Sequence, residues 1–198
     1  MQKAFLFIAD GFEEVETVTP VDYLRRCGID TAIVGVGKKV IRSARNLSIM
    51  CDLTLEELIG ETAGSAGESE VVDRAAAETA LVILPGGLPN SRTLGANMHL
   101  RSFIEAVERH GGFVAAICAA PALALGTWGM LNSRQFTCYP GMGKNLPTPP
   151  VKSARVIRDG NIITACGAGA AEEFAFALVD ALCGEQKLTE LKNSIVAR

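Results

Sequence analysis

The apolar residues of this chain fall into two alternating patterns. Short continuous apolar runs are typical of strands buried on both faces of a parallel sheet, and they occupy residues 3–9, 31–36, 80–84 and 113–117. Between and after these runs, the spacing of apolar residues predicts helices within 13–27 and at 97–110, 172–183 and 187–197. This alternation, without an internal repeat, predicts an α/β sandwich with a mostly parallel central sheet in a single domain, 1–198.

Several segments carry finer signals. Proline is tolerated in the first turn of a helix, so Pro20 places the predicted start of the first helix at 17–19, with Glu16 just ahead of it. Residues 40–51 are expected to form a hairpin or a strand that leaves the main sheet. A capped short helix is expected at 54–59.

The remaining signals are local. Residues 60–69 are small and polar, which predicts a flexible loop. Asp159-Gly160-Asn161 stands between two apolar runs and predicts a hairpin over 156–166. Helical turns are expected at 73–78 and 91–94, and a short strand at 136–138.

Three loops are candidates for a shared site. Residues 10–16, 85–89 and 118–121 each follow a predicted strand. Because active sites of open parallel sheets lie beyond the carboxyl ends of the strands, we expect these loops to converge.

Cys118 is the candidate nucleophile of this site. It stands between the apolar run 113–117 and Ala119-Ala120-Pro121, where the proline favours the beginning of a helix. The free N–H groups and the positive dipole end of a helix N-terminus favour a thiolate. A small buried core cysteine is the alternative, since free cysteine is among the most buried residue types.

Two features could assist Cys118. A carboxylate can hydrogen-bond the sulfur or move a proton, and among the acids of 13–16 the position of Glu16 at the helix start favours it. An acidic turn that only stabilises the helix dipole is the alternative. Gly86 and Gly87 follow a strand and either bring N–H groups close to an oxyanion or form a plain tight turn.

The sequence gives little support for a Cys/His mechanism or for a dinucleotide site. His99 and His110 are expected at the surface, which leaves a Cys/His mechanism without its base. Residues 167–172 approach a dinucleotide fingerprint but end in Glu172, so close helix–strand packing explains them better. We therefore expect no cofactor and no metal.

Composition narrows the class of protein. The 198 residues are 48% hydrophobic and 21% charged, with a net charge of −3 and scattered lysines and arginines. No basic stripe indicates nucleic acid, and the apolar run at 4–9 is too short for a signal peptide or a membrane span. The six cysteines lack C-x-x-C or metal-like spacing, so we expect free thiols in a cytoplasmic protein.

Together these motifs closely resemble the ThiJ/PfpI superfamily, in its DJ-one branch. The resemblance rests on DGFEEVET at 10–17 with Pro20-Val21-Asp22, on LPGG at 84–87, on AAICAAP at 115–121, on CYPG at 138–141, and on 167–175. The motifs lie in the expected order across almost the whole chain.

The resemblance implies a flavodoxin-like three-layer sandwich with a nucleophile elbow, in a protein that commonly forms homodimers. It implies an oxidisable nucleophile at Cys118, hydrogen-bonded by a protonated carboxyl at Glu16. The backbone N–H groups of Gly87 and Ala119 would form an oxyanion pocket. The implied activity is cofactor-free conversion of methylglyoxal-type 2-oxoaldehydes, or removal of early glycation adducts.

Two positions depart from the family pattern. PfpI-like peptidases place histidine directly after the nucleophile, where this chain has Ala119, and this disfavours protease activity. Many relatives place histidine where this chain has Tyr139, which is a poor base near neutrality. A proton relay must then depend on Glu16 or water.

Several functions stay open at this point. The leading hypothesis is a glyoxalase- or deglycase-like enzyme, and the rival is an oxidative-stress sensor or redox-regulated chaperone in which Cys118 is oxidised to sulfinate. Some relatives carry a label for thiazole-phosphate and thiamine synthesis, while an amidase-type transferase lacks its histidine. Arg26 and Arg45 are expected either to bind an anion near a dimer interface or to be solvated.

Overall fold

A mostly parallel sheet forms the centre of the protein, whose computed structural model describes residues 2–60 and 68–197. The strands of these residues, in chain order, are β1 (Lys3–Ile8), β2 (Asp30–Gly35), β3 (Val40–Arg42), β4 (Ser48–Met50), β5 (Leu53–Thr54), β6 (Thr79–Leu84), β7 (Phe113–Ile117), β8 (Val156–Asp159) and β9 (Ile162–Ala165). Seven of them form the main sheet in the order β5-β2-β1-β6-β7-β9-β8. Its neighbours pair in parallel except β8 with β9, which confirms the predicted sheet.

The helices connect these strands. Those of the described residues are α1 (Glu14–Arg26), α2 (Leu55–Ile59), α3 (Glu68–Ala77), α4 (Leu88–Ala96), α5 (Met98–Arg109) and α6 (Ala171–Ser194). Gly184 interrupts α6 with a non-helical backbone (φ 78°, ψ 172°), so its two arms are the two C-terminal helices that the sequence predicts. Within the described ranges, no helix combines the length and the apolar character needed to cross a membrane.

Five strands of the central sheet, β1, β2, β6, β7 and β9, contribute side chains to two cores. In β1, Phe5 and Phe7 point into a core that is covered by α2, α3, α4 and α5. Ala4, Leu6 and Ile8 point to the opposite face, which α1 and α6 cover. Burial on both faces is the reason that these strands are continuous apolar runs, and it produces a three-layer α/β sandwich.

The predicted start of α1 at 17–19 is wrong, because the helix begins at Glu14. The carboxylate of Glu13 accepts a hydrogen bond from the N–H of Glu16 at 2.8 Å and caps the helix. Pro20 therefore lies inside the helix, where its ring removes the hydrogen bond to the carbonyl four residues earlier. Glu16 belongs to the first turn of α1 rather than to the loop ahead of it.

Most of the finer predictions are confirmed with shifted bounds. β3 and β4 form an antiparallel hairpin outside the main sheet, and β8 and β9 form the other predicted hairpin. Thr54 and Glu57 cap α2 reciprocally. The turns expected at 73–78 and 91–94 belong to the longer helices α3 and α4. The loop predicted over 60–69 falls mainly on 61–67, which lie outside the described residues.

The strand predicted at 136–138 is not present. Instead, the N–H of Thr137 donates to the side-chain oxygen of Thr164 at 3.0 Å, so a hydroxyl takes the place of a strand partner. Two residues further on, the N–H of Tyr139 donates to the carbonyl of Cys118 at 2.7 Å. This segment thus joins the end of β7 without extending the sheet.

Candidate active site

The three loops that the sequence places at the carboxyl edge of the sheet do meet there. The N–H of Gly86 donates to Glu16 Oε2 at 2.7 Å, and the N–H of Glu13 donates to the Gly86 carbonyl at 3.2 Å. A methyl group added to Gly86 would lie 2.6 Å from the Cβ of Cys118 and 3.0 Å from its sulfur. The glycine is therefore required for the close approach of the acid, the loop and the thiol.

Cys118 occupies a sharp turn directly after β7. Its φ of 65° lies in the left-handed region, which is uncommon for a residue other than glycine. The backbone is held on both sides, since its N–H donates to the Ala165 carbonyl at 2.9 Å and its carbonyl accepts from Tyr139. Pro121 then begins a short π-helix, Pro121–Leu125, as the predicted strand-to-helix turn requires. Strain of this kind is commonly stored at functional sites.

Glu16 is a fully buried acid beside this thiol. Its Oε2 accepts from Gly86, whereas Oε1 has no hydrogen-bond partner among the described residues. Burial raises the pKa of Glu16 to about 7, and the negative charge of Glu13 also raises it. The Gly86 N–H and the Cys118 thiol lower this pKa, but their effect is smaller. Near neutral pH, this carboxyl can therefore either hold or accept a proton.

The thiol of Cys118 is half-buried, and the nearby N–H groups of Ala119 and Gly87 lower its pKa. Burial and the Glu16 carboxylate outweigh them and raise the pKa of the thiol to about 12. While Glu16 is ionised, these effects favour the thiol over the thiolate. A protonated Glu16 removes the opposing charge, so the two groups are best described as a pair that shares a proton.

Of the other residues named from the sequence, Gly86 contacts Glu16 directly, whereas Tyr139, Arg45 and Arg26 have other partners. Tyr139 is half exposed and is linked to Cys118 through its backbone. The Arg45 N–H donates to Glu14 Oε1 at 2.7 Å, which places its backbone against the first turn of α1. Arg26 forms an ion pair with Asp22 at 2.8 Å.

Both histidines lie at the surface, as the sequence predicts. His110 pairs with Asp73 at 3.0 Å, near the start of β7 and so at the opposite edge of the sheet from Cys118. His99 is exposed. In the part of the chain that the structure describes, no three His, Cys, Asp or Glu side chains gather as a metal site would require.

Sequence reasoning missed Asn90, which is fully buried in the first turn of α4. Its amide nitrogen donates to the carbonyls of Pro85 at 2.8 Å and Gly86 at 2.9 Å. Its amide oxygen accepts from the N–H of Ala9 at 2.6 Å. One signal in the sequence could have identified it, an asparagine three residues after Gly87. Asparagine is disfavoured inside helices because its side chain hydrogen-bonds to nearby backbone groups, so its presence there indicates such a contact.

Comparison with known proteins finds relatives that match most of this chain. The model of the DJ-1/PfpI family matches residues 2–181. Over its full length the chain is 34% identical to Protein DJ-1 homolog B of Arabidopsis thaliana, but it spans only 42% of that protein. It is 31% identical to Protein dj-1beta of Drosophila melanogaster, with 98% of this chain and 97% of that protein covered.

Two further matches bear on fold and activity. The crystal structure of Drosophila melanogaster DJ-1beta superposes with a TM-score of 0.86 at 30% identity, covering 100% of this chain and 98% of that one. The Glutathione-independent glyoxalase DJR-1.2 of Caenorhabditis elegans is 25% identical, with 96% of this chain and 94% of that protein covered.

Proposed function

The chain belongs to the DJ-1/PfpI family, and from this premise we propose that it is a cofactor-independent glyoxalase- or deglycase-like enzyme. The proposed substrates are 2-oxoaldehydes of the methylglyoxal type or early glycation adducts. The observation that carries the proposal is the pair of Cys118 and Glu16, a thiol beside a buried acid whose pKa is about 7. A general acid–base works best with a pKa near the operating pH, and this pair has one. The name of the Caenorhabditis elegans relative supports the choice of reaction.

In the first proposed step, sulfur attacks the aldehyde carbon. The thiol proton passes to the Glu16 carboxylate as the S–C bond forms, and the carbonyl electron pair moves onto oxygen. The N–H groups of Gly87 and Ala119, which face the sulfur, stabilise this oxyanion. Glu16 then returns the proton to the oxygen, giving a neutral hemithioacetal.

In the second proposed step, Glu16 acts as a base on the hemithioacetal. It removes the proton from the former aldehyde carbon and delivers it to the neighbouring ketone carbon. The hydroxyl proton of the former aldehyde carbon passes through water to the ketone oxygen, so that one carbon becomes a thioester carbonyl and the other a secondary alcohol. The result is a thioester of a 2-hydroxy acid, reached without an external oxidant or reductant. Water then attacks the thioester, the C–S bond breaks, and Cys118 recovers its proton as the 2-hydroxy acid leaves.

Methylglyoxal consumption by the purified protein and its Cys118→Ala variant tests this proposal. We expect the variant to lose consumption and the formation of lactate. Cys27→Ala is the matched control, because Cys27 is also half-buried but lies at the end of α1, and this variant should retain activity. Unchanged consumption in a folded Cys118→Ala protein would rule out the mechanism.

A second candidate function is redox sensing at the same sulfur. The observation that favours it is the two N–H groups directed at the thiol, since they could also bind sulfinate oxygens. One peroxide molecule would oxidise Cys118 to sulfenate and a second to sulfinate, each releasing water. Mild peroxide followed by mass spectrometry should then show two oxygens gained selectively at Cys118. Equal oxidation of Cys27 or Cys183 would contradict this function.

We also propose that the protein forms a homodimer. Val15 and Val18 on α1, and Val40 and Met50 on the neighbouring hairpin, are exposed apolar side chains on adjacent elements. The hairpin is tied to α1 because Glu14 accepts from the backbone of Arg45. Light scattering should give twice the chain mass, and Val18→Glu should shift it toward the monomer. A wild-type monomer at micromolar concentration would contradict the proposal.

A further inference from the structure

We propose that Asn90 is a positioning residue that sets the direction of the two N–H groups facing the acid and the thiol. These are the N–H of Gly86, which donates to Glu16 at 2.7 Å, and the N–H of Gly87, which lies beside Cys118 and lowers the pKa of its thiol. The inference rests on the site described above, and its test does not depend on which substrate that site converts.

The need for such a residue arises where two neighbouring strands separate. β1 and β6 pair from Lys3 to Leu6, but beyond this point β1 pairs only with β2, and β6 only with β7. The N–H of Ala9 and the carbonyls of Pro85 and Gly86 would then be left without ladder partners. Buried backbone groups require partners. The Asn90 amide supplies all three, because it offers two donors and an acceptor in one group.

The two carbonyls held by Asn90 are coupled to the two functional N–H groups. A trans peptide unit is planar, so the carbonyl of one residue and the N–H of the next point in opposite directions. The Pro85 carbonyl shares its peptide unit with the Gly86 N–H, and the Gly86 carbonyl shares its unit with the Gly87 N–H. Holding both carbonyls at the Asn90 nitrogen therefore turns both N–H groups toward the opposite side, where Glu16 and Cys118 lie.

A Gly-Gly loop needs an external restraint of this kind. Glycine has no Cβ and reaches both signs of φ easily, and Gly87 has a φ of 87°. A second restraint, the N–H of Glu13, reaches only the Gly86 carbonyl, at 3.2 Å. Without Asn90, the peptide unit between Pro85 and Gly86 would lose its carbonyl partner and could rotate its N–H away from Glu16.

Two uncharged variants, Asn90→Leu and Asn90→Ser, test the inference. Iodoacetamide alkylation of the Cys118 peptide, followed by mass spectrometry across pH, reports the thiol directly. The Gly87 N–H lowers the pKa of the Cys118 thiol, so turning this N–H away should move the alkylation midpoint to higher pH. A midpoint that lies one pH unit higher corresponds to about a tenfold slower reaction at neutral pH. Both variants leave the ionisable groups beside the thiol, Glu16 and Glu13, unchanged.

Asn97→Leu is the matched control. The Asn97 side chain also accepts a backbone N–H, from Leu100 at 2.9 Å, but it caps α5. This variant should melt at a lower temperature and keep the wild-type alkylation profile. If aldehyde turnover is present, kcat/KM should fall about 100-fold in the Asn90 variants, since small displacements at an active site have effects of this size.

The outcomes separate this inference from the proposed function. A shifted alkylation profile in a protein without aldehyde turnover supports the positioning role of Asn90 and rejects the proposed enzymatic function. An unchanged profile in either folded Asn90 variant overturns the inference, whatever the turnover. If neither variant folds, hydrogen exchange of the Asn90 side-chain protons in the wild type decides. Slow exchange supports the two carbonyl contacts, and exchange at the rate of a free amide overturns them.

Discussion

Glutamates at the two ends of the central sheet have opposite environments. At the amino end, Glu78 is exposed and pairs with Lys3 at 2.7 Å, and this contact lowers its pKa. At the carboxyl end, Glu16 is fully buried, and burial raises its pKa to about 7. Water and a cation stabilise the first carboxylate, whereas the second has lost water and gained only N–H and thiol contacts.

This difference shows which end of the sheet holds the reactive groups. The polar groups at the amino end are exposed and paired, as His110 is with Asp73 at 3.0 Å. The carboxyl end holds a buried acid with one unpaired oxygen among the described residues, next to a cysteine with a positive φ. Groups that cost stability in this way are typical of functional sites.

The largest combined effect, on stability and turnover together, is expected from Gly86→Ala at the carboxyl end. The added methyl would overlap the Cys118 Cβ at 2.6 Å and would also collide with Glu16. We expect a loss of about 1–3 kcal/mol in unfolding free energy from overpacking. A decrease of about 100-fold in methylglyoxal turnover should accompany it, because the pair is displaced. Urea denaturation and steady-state kinetics measure the two losses.

Gly111→Ala is the control at the amino end. Gly111 also has a positive φ, of 83°, but a methyl group there meets no atom within 4 Å. It should cost about 1–2 kcal/mol of backbone strain and leave turnover unchanged. Equal activity in the two variants would remove the distinction between the two ends.

Glu16→Gln should have the next largest effect. It keeps the shape of the side chain but cannot exchange a proton, so turnover should fall by about 10²- to 10⁴-fold in steady-state assays. Glu78→Gln, made at the other end of the sheet, should retain wild-type kinetics. A Glu16→Gln protein that is as active as Glu78→Gln would exclude Glu16 from proton transfer.

The stability of the protein should also depend on pH through Glu16. Its pKa is about 7 in the folded protein and about 4.5 in the unfolded chain, so between these values only the folded state holds the proton. The slope of unfolding free energy against pH is then negative, and stability is lost as pH rises from 4.5 to 7. The loss is on the order of 3 kcal/mol.

Denaturation of the wild type and Glu16→Gln at pH 5 and pH 8 measures this contribution. The wild type should lose more stability than the variant at the higher pH. Glu78 has the opposite sign, because its lowered pKa contributes stability that is lost as pH falls through that pKa. Parallel pH profiles for wild type and Glu16→Gln would show that Glu16 does not titrate in this range.

The smallest effect is expected for Lys3→Gln at the amino end. Lys3 and Glu78 are both largely exposed, and ion pairs of this kind contribute little in water. The melting temperature and the turnover should both match the wild type within error. A clear loss of activity would mean that the two ends of the sheet are coupled.

Much of the fold could be predicted because its signals are local. The apolar runs of β1, β6 and β7 record burial on both faces of a sheet, and the residues after each run locate the functional edge. The strand, cysteine and proline around Cys118 likewise predict a sharp turn within nine residues. The start of α1 was missed because a side-chain cap by Glu13 outweighed the cost of an internal proline.

The chain by itself determined the order of its strands and helices, the edge that would carry chemistry, and Cys118 as its nucleophile candidate. Tertiary structure alone decided that Glu16 is fully buried beside the thiol, and that burial favours the protonated form of both groups. It also decided the role of Asn90, whose partners include Ala9, 81 residues away. The reason is physical: solvent exposure and long-range hydrogen bonds arise only when distant segments meet.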